Sequence, residues 1–464
     1  MQKYWGKHFS RRSLLQTSGA LAATSLVGLN SRFTPEARAE ILAKAATFQD
    51  RPITLKAIQP IAATPDATDA GAAFQEVYNR FMEANPTIAV EFQYSPWVEF
   101  TQALSVAIGG GNAPDVATWI DDQRVPSLAA NGFLRTVDDL AAADGIDLSD
   151  IDPIALSSNT FGGKLYGIPY YWDDRILFHN TDHFAEAGIT TPPATWDEAV
   201  EMSAELDRKE GDSYTRIGYI PLSPSTVGGS TQGAGGNSFL FIYGWQNGGK
   251  FVSDDLTTVT VNDPAIVEAL EWCVQVSDSY GGAEQQANFV QQASRGGNPF
   301  LTGSVSMMTT VTGFGKNTVA SSDNPVNWGV SAAPHNTTPA TWSGVLSVAL
   351  PVGTQYPDEA WELAKFIQSP EIQTYFAETL IWIPTRRALW PDIEVFNTDP
   401  EMQVGLEEFP NTHIRPPLPN SQELWDEILR ASDAALYHQM SAKEALDAAN
   451  ATIQEGLDRY LQNS

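Results

Sequence analysis

The chain has 464 residues, 42% of them hydrophobic and 10% aromatic, enough for two or three domains with ordinary packed cores. Its 27 Lys and Arg face 56 Asp and Glu, for a formal charge of −29, which argues against nucleic acid or an anionic membrane surface as partner. A single cysteine, Cys273, permits no disulfide within the chain, so stability must come from the core.

Ser10-Arg11-Arg12-Ser13 precedes an uncharged, weakly apolar stretch from Ser13 to Ser31 and then Ala37-Arg38-Ala39. That order reads as a twin-arginine export signal over residues 1–39, cleaved after Ala39. The mature protein is then expected to be soluble and periplasmic, with the twin-arginine export machinery as a transient partner.

Beyond it, Ile53–Ile58 alternates apolar and polar residues and predicts a strand. Gly71–Ala84 carries Phe74, Val77, Tyr78, Phe81 and Met82 at helical spacing, and Pro86 follows. Ile88–Tyr94 is the next strand, Glu99–Ile108 the next helix, and Asp115–Trp119 a short buried strand after Gly109-Gly110-Gly111. Alternation of this kind predicts a parallel α/β sheet. Ser127–Leu140 reads as a helix with its exit turn. Thr195-Trp196-Asp197-Glu198 is a capping box that opens another. Ser223–Gly236 is a glycine-rich loop. Further helices are predicted over Phe239–Trp245, Ala265–Ser277, Asp358–Gln368, Glu371–Glu378, Glu423–Tyr437 and Ala442–Gln462, and strands over Ser304–Thr310, Asn327–Ala332 and Gly344–Leu350.

Two stretches carry chemistry. In Phe161–Asn180, three aromatics, Tyr170, Tyr171 and Trp172, stand directly before Asp173 and Asp174. Tyr and Trp carry polar atoms that need partners, and Asp is rarely buried alone, so a ligand-facing segment explains the composition better than a core strand. Strand pleat sends Tyr170 and Trp172 one way and Tyr171 and Asp173 the other. The second stretch is Trp119-Ile120-Asp121-Asp122, at the carboxyl end of a strand, where open α/β sheets gather ligands. No nucleophile elbow, Walker loop or His-Glu-x-x-His occurs. His179 and His183 straddle a strand end and a turn rather than one helix face, so they predict no metal pair. Carboxylates for glycoside hydrolysis could be drawn from Asp121, Asp122, Asp173 and Asp174, but nothing marks one as a raised acid.

Several segments together resemble the extracellular solute-binding proteins of ABC transporters, in the large sugar-binding family that includes maltose-binding protein. They are Asn112-Ala113-Pro114-Asp115-Val116 with Trp119, Gly163-Lys164-Leu165-Tyr166-Gly167-Ile168-Pro169, Pro192–Glu198, Asn247-Gly248-Gly249, Phe300-Leu301-Thr302-Gly303 with Met307-Met308, and Ser343-Gly344-Val345-Leu346. The resemblance spans about Ile53 to Leu461. It implies a type II two-lobed binding-protein fold, each lobe a mostly parallel sheet flanked by helices. Residues 50–170 with 346–390 would form one lobe, and 171–340 with 400–464 the other. Crossings are expected near Pro169–Ile176, near Ala333–Leu346 and within Arg387–Pro400. It further implies ligand contacts from Trp119, Asp121, Asp122, Tyr171, Trp172, Asp173, Phe314, Trp342, Gly344 and Trp425. Phe314 stands where Trp is common in the family.

The function so implied is capture of a mono- or oligosaccharide between the lobes and delivery to a membrane permease, by a monomer with no cofactor, no metal and no catalysis. Aromatics beside carboxylates also suit a quaternary ammonium ligand such as betaine. A secreted glycosidase is the alternative of another class.

Overall fold

A computed structural model describes residues 33–48, 51–61, 69–97, 99–225, 239–323 and 325–462. The twin-arginine segment and most of the glycine-rich loop lie outside the described residues. Ala37-Arg38-Ala39 falls inside a helix, Pro35–Ala46, which Arg38 ties to Asp69 through an ion pair at 2.6 Å.

Twelve strands organise the described residues: β1 (Ile53–Gln59), β2 (Ile88–Tyr94), β3 (Val116–Asp121), β4 (Gly167–Trp172), β5 (Arg175–Asn180), β6 (Arg208–Glu210), β7 (Ser213–Tyr219), β8 (Val305–Val311), β9 (Trp328–Ser331), β10 (Thr341–Trp342), β11 (Val345–Ala349) and β12 (Thr412–His413). A further two-residue hairpin, Thr160–Phe161 with Lys164–Leu165, precedes β4. One five-stranded sheet has the order β2-β1-β3-β11-β4 and the other β9-β5-β8-β7-β6.

Neither sheet is mostly parallel, in contrast to the sequence expectation. In the first, β2, β1 and β3 run parallel, but β11 is antiparallel to both β3 and β4. In the second, only β8 and β7 run parallel. The cause is topological: β11 and β5 enter their sheets directly from a crossing rather than through a helix, and a parallel neighbour needs a crossover.

Helices form where the apolar stripe predicts. Asp69–Ala84 buries Phe74, Val77, Tyr78, Phe81 and Met82 against the first sheet, in one cluster with Ile168, Tyr170, Val348, Trp361 and Phe376. Each such side chain contributes roughly 1.5–3 kcal/mol by leaving water. Thr195 and Glu198 make both bonds of the capping box that starts Trp196–Leu206. Helices Pro264–Ser279, Ser421–Leu436 and Ala442–Leu461 pack together through Leu270, Cys273, Leu424, Ile428, Leu446 and Ile453. The single helix expected over Ser127–Leu140 is two short ones, Arg124–Ala130 and Asp138–Ala143, because Gly132 at φ 70° ends the first. The hairpin β6–β7 and the helices Ala283–Ala293 and Pro400–Glu408 escaped the sequence reading. Arg208–Thr215 is polar and lies at an edge, so it shows no apolar alternation.

The two sheets are joined where β4 passes into β5 through Asp173 and Asp174, and where β10 passes into β11 through Ser343 and Gly344. A third segment runs from Ile383, whose carbonyl accepts from Trp172 N at 3.1 Å, through helix Pro400–Glu408 to β12. β12 pairs with β10, Thr341 opposite Thr412 and Trp342 opposite His413.

Candidate functional site

The carboxyl end of β3 is distorted where it carries Trp119. Ser347 pairs with Ile120 and Ala349 with Ala117, so Thr118 and Trp119 both stand opposite Val348, a β-bulge. Trp119 takes φ 61°, a conformation an L-residue adopts at a cost of order 1–2 kcal/mol. Bulges re-aim side chains, and strain of this kind collects at functional sites. The re-aimed indole lies edge-on to Trp382, ring centres 4.7 Å apart, and Trp382 packs on Tyr171 at 4.5 Å.

A second bulge sits in β4. Leu346 pairs with Tyr171 and Ser347 with Pro169, which leaves Tyr170 as the extra residue. Tyr170 turns into the core against Phe74 and Phe376. Tyr171 keeps to the side of Asp173 and donates its hydroxyl to Asp173 Oδ2 at 2.9 Å. Burial first, then the adjacent Asp173 charge, holds the Tyr171 phenol well above its ordinary range.

Asp173 is the hub of the junction. Its Oδ1 accepts from Gly344 N at 2.8 Å and from the Arg175 guanidinium. Arg175 also donates to Trp342 O at 3.1 Å and lies 3.8 Å over the Trp342 ring. At Gly344 a β-carbon would stand 3.2 Å from Asp173 Oδ1, so the close approach there favours glycine. Asp174, fully buried, accepts from the Thr412 hydroxyl through one oxygen, while the other has no hydrogen-bond partner; burial raises its carboxyl well above the usual range.

Asp121 and Asp122 form a second charged group. Asp121 Oδ2 accepts from Arg124 Nη1 at 2.9 Å. Asp122 accepts from Arg415 Nε at 3.0 Å, and Arg415 also reaches Gln123 and Asp121. Burial pushes the Asp122 carboxyl up, and the Arg415 guanidinium opposes that shift. Arg415 in turn lies 5.1 Å from the ring centres of both Trp342 and Trp425. Gln123 Nε2 donates to Gln422 Oε1 at 2.8 Å, and Ser421 donates to Gln123 O. The end of β3 is thereby fastened to the start of helix Ser421–Leu436. The arrangement offers aromatic faces, carboxylates held by arginines, and contributions from both sheets to one junction.

Residues 64–374 match the family of bacterial extracellular solute-binding proteins. This chain belongs to that family. A binding protein of Brucella abortus is 26% identical over 361 residues, covering 77% of this chain and 82% of the relative. The maltotriose-binding protein of Pyrococcus abyssi is 24% identical over 372 residues, covering 78% and 74%. Among solved structures, an ABC transporter solute-binding protein of Thermotoga lettingae bound with α-D-tagatose superposes with TM-score 0.72 at 22% identity, over 87% of this chain and all of that one. UgpB of Mycobacterium tuberculosis in complex with glycerophosphocholine gives 0.70 at 22%, over 88% and 99%. Solute-binding proteins of this type share the two-lobed type II fold.

The junction brings together eight of the ten candidate residues: Trp119, Asp121, Asp122, Tyr171, Asp173, Trp342, Gly344 and Trp425. Trp172 and Phe314 lie elsewhere. Trp172 is fully buried against Phe409, ring centres 4.2 Å apart. Phe314 packs edge-on to Phe178 in the core of the second sheet. Four residues escaped the sequence reading: Arg175, Trp382, Arg415 and Gln123. Arg415 could have been found from its place in Arg415-Pro416-Pro417, a cation in a rigid lead-in, but its partner lies 293 positions away. Among the described residues no cluster of His, Cys, Asp and Glu could hold a metal ion. His179 stacks on Phe184 at 4.5 Å, while His183 Nδ1 faces Ser306 Oγ at 2.9 Å. No helix among the described residues is long and apolar enough to cross a membrane.

Proposed function

We propose that this protein captures a carbohydrate between its two sheets and delivers it to the permease of an ABC transporter. The observation that carries the reading is the junction itself. Trp119, Tyr171 and Trp382 offer apolar faces for the C–H surface of a pyranose. Asp121, Asp122 and Asp173, with Arg175 and Arg415, offer charged hydrogen-bond partners for its hydroxyl rim. The maltotriose-binding relative and the tagatose-bound neighbour support it. In this reading the first sheet, with β4 as far as Trp172 and β11 from Val345, centres one lobe and the second sheet the other. They close by hinge motion about the three joining segments, a shift of a pre-existing equilibrium.

The glycerophosphocholine-bound neighbour makes a quaternary ammonium ligand the natural competitor. The Trp342 face disfavours it here, because Arg175 already lies 3.8 Å over that ring and would repel a second cation. Binding without turnover is proposed as well. Asp121, Asp122 and Asp173 each pair with an arginine, and Asp174, whose carboxyl burial also raises, lies within the joining segment. A glycosidase needs an accessible protonated acid opposite a second carboxylate.

Export by the twin-arginine route, cleavage near Ala39 and a monomeric state complete the proposal. Thermal-shift screening of the purified protein against sugars and betaine tests it, because a ligand bound only by the native state raises Tm. Stabilisation by a sugar, with no product formed on long incubation, is expected. Stabilisation by betaine alone would overturn the carbohydrate assignment, and catalytic hydrolysis would overturn the binder.

A further inference from the structure

The parallel strands β2, β1 and β3 run to the same carboxyl end of the first sheet, and Arg124, just past β3, ties the segment after β2 to Asp121. That segment holds Trp97, 41% exposed, which with Tyr94 at the last position of β2, 55% exposed, makes up the aromatics among the exposed large hydrophobic side chains of the described residues. Trp97 is held in place by Arg124. The guanidinium lies 4.2 Å from the ring centre, and its Nη2 donates to Trp97 O at 3.0 Å. Its Nη1 donates to Asp121 Oδ2 at 2.9 Å and its Nε to Thr101 Oγ1 at 2.9 Å. Every nitrogen of this buried arginine is engaged. It is therefore a bracket, with one side on an inner carboxylate and the other on an exposed indole.

We infer that Trp97 is an outer stacking platform, and that the ligand is an oligosaccharide whose outer ring leaves the junction over this indole. The inference rests on the carbohydrate reading above and sharpens it from sugar to oligosaccharide. A monosaccharide seated against Asp121 would end at Arg124 and leave the platform unused. A longer chain continues past it and meets a ring whose conformation is already fixed, so little entropy is lost on stacking. One aromatic contact is worth roughly three- to tenfold in affinity.

Titration calorimetry with maltose and maltotriose, and with mannobiose and mannotriose, on the full-length protein and on Trp97→Ala tests this. The longer member of the binding pair should lose roughly three- to tenfold in affinity, and the shorter should change less than twofold. Trp97→Phe should restore most of the loss. Equal loss for both lengths would mean that Trp97 acts only by positioning Arg124 and Asp121, and would overturn the platform. Unchanged binding with impaired uptake in cells would reassign Trp97 to the transporter contact. Binding of monosaccharides alone would overturn this inference and leave sugar capture standing. Failure of every sugar would remove both.

Discussion

At the scale of single residues, Asp173 and Trp119 carry the sharpest expectations. Asp173 is nearly buried and neutralises Arg175, so it serves stability as well as the proposed binding. Asp173→Ala removes the carboxylate that Arg175, Tyr171 and Gly344 N share and should cost about 3–5 kcal/mol. Asp173→Asn keeps an acceptor for Gly344 N and should cost less while still weakening ligand binding. Urea denaturation beside calorimetry separates the two effects. If both variants unfold at the wild-type midpoint, the ion pair contributes nothing. Trp119 makes the converse case. At φ 61° glycine is at ease and alanine is not, so Trp119→Gly should be about 1 kcal/mol more stable than Trp119→Ala, although both lose the indole. Equal stabilities would mean that the bulge relaxes once the side chain is gone.

At the scale of elements, the end of β5 and the helix Thr181–Ala187 after it hold two histidines whose burial pushes each down to about 4. That value lies below the ordinary 6.5, so the native state binds fewer protons than the unfolded chain between the two. The contribution is full above about pH 6.5 and is lost as pH falls toward 4. Tm measured from pH 7 to 4.5 should fall less steeply for His183→Gln than for the wild type. Parallel curves would show that carboxylate pairs elsewhere govern the acid limb. The site has an elemental origin too. β4, β5 and β11 are buried on both faces along nearly their whole length, and they run straight into the crossings without a helical spacer. Side chains at those crossings are consequently fixed by a core on each side while facing the junction between.

At the scale of the molecule, the formal charge of −29 repels itself on compaction and closure. Screening relieves this, since the Debye length falls to about 10 Å at 0.1 M salt. Raising NaCl from about 0.05 to 0.5 M should raise Tm and tighten binding of a neutral ligand. A fall in Tm would mean that attractive pairs such as Asp122–Arg415 outweigh the repulsion. The same pairs explain how both sheets meet at one place. Arg415 and Gln422 from the late part of the chain hold Asp122 and Gln123 from the early part.

How much of this was legible beforehand depended on the range of the interaction. The helical stripe of Phe74, Val77, Tyr78 and Phe81, the capping box at Thr195, and the grouping of aromatics with acids at Trp119–Asp122 and Tyr170–Asp173 are local patterns. Spacing and residue type along a few turns or one strand are enough to declare them. Strand direction, the two bulges, the burial of Trp172 and Phe314, and the recruitment of Trp382 and Arg415 are not local. Each depends on which strand lies alongside and which distant segment supplies the counter-charge. A bulge adds one residue to one strand only in relation to its partner, so no periodicity announces it. The sequence by itself determined an α/β protein in which aromatics stand next to carboxylates at Trp119–Asp122 and Tyr170–Asp173. The tertiary structure alone decided which of them share one junction, because only folding brings residue 122 to residue 415 and Trp382 to Trp119 and Tyr171.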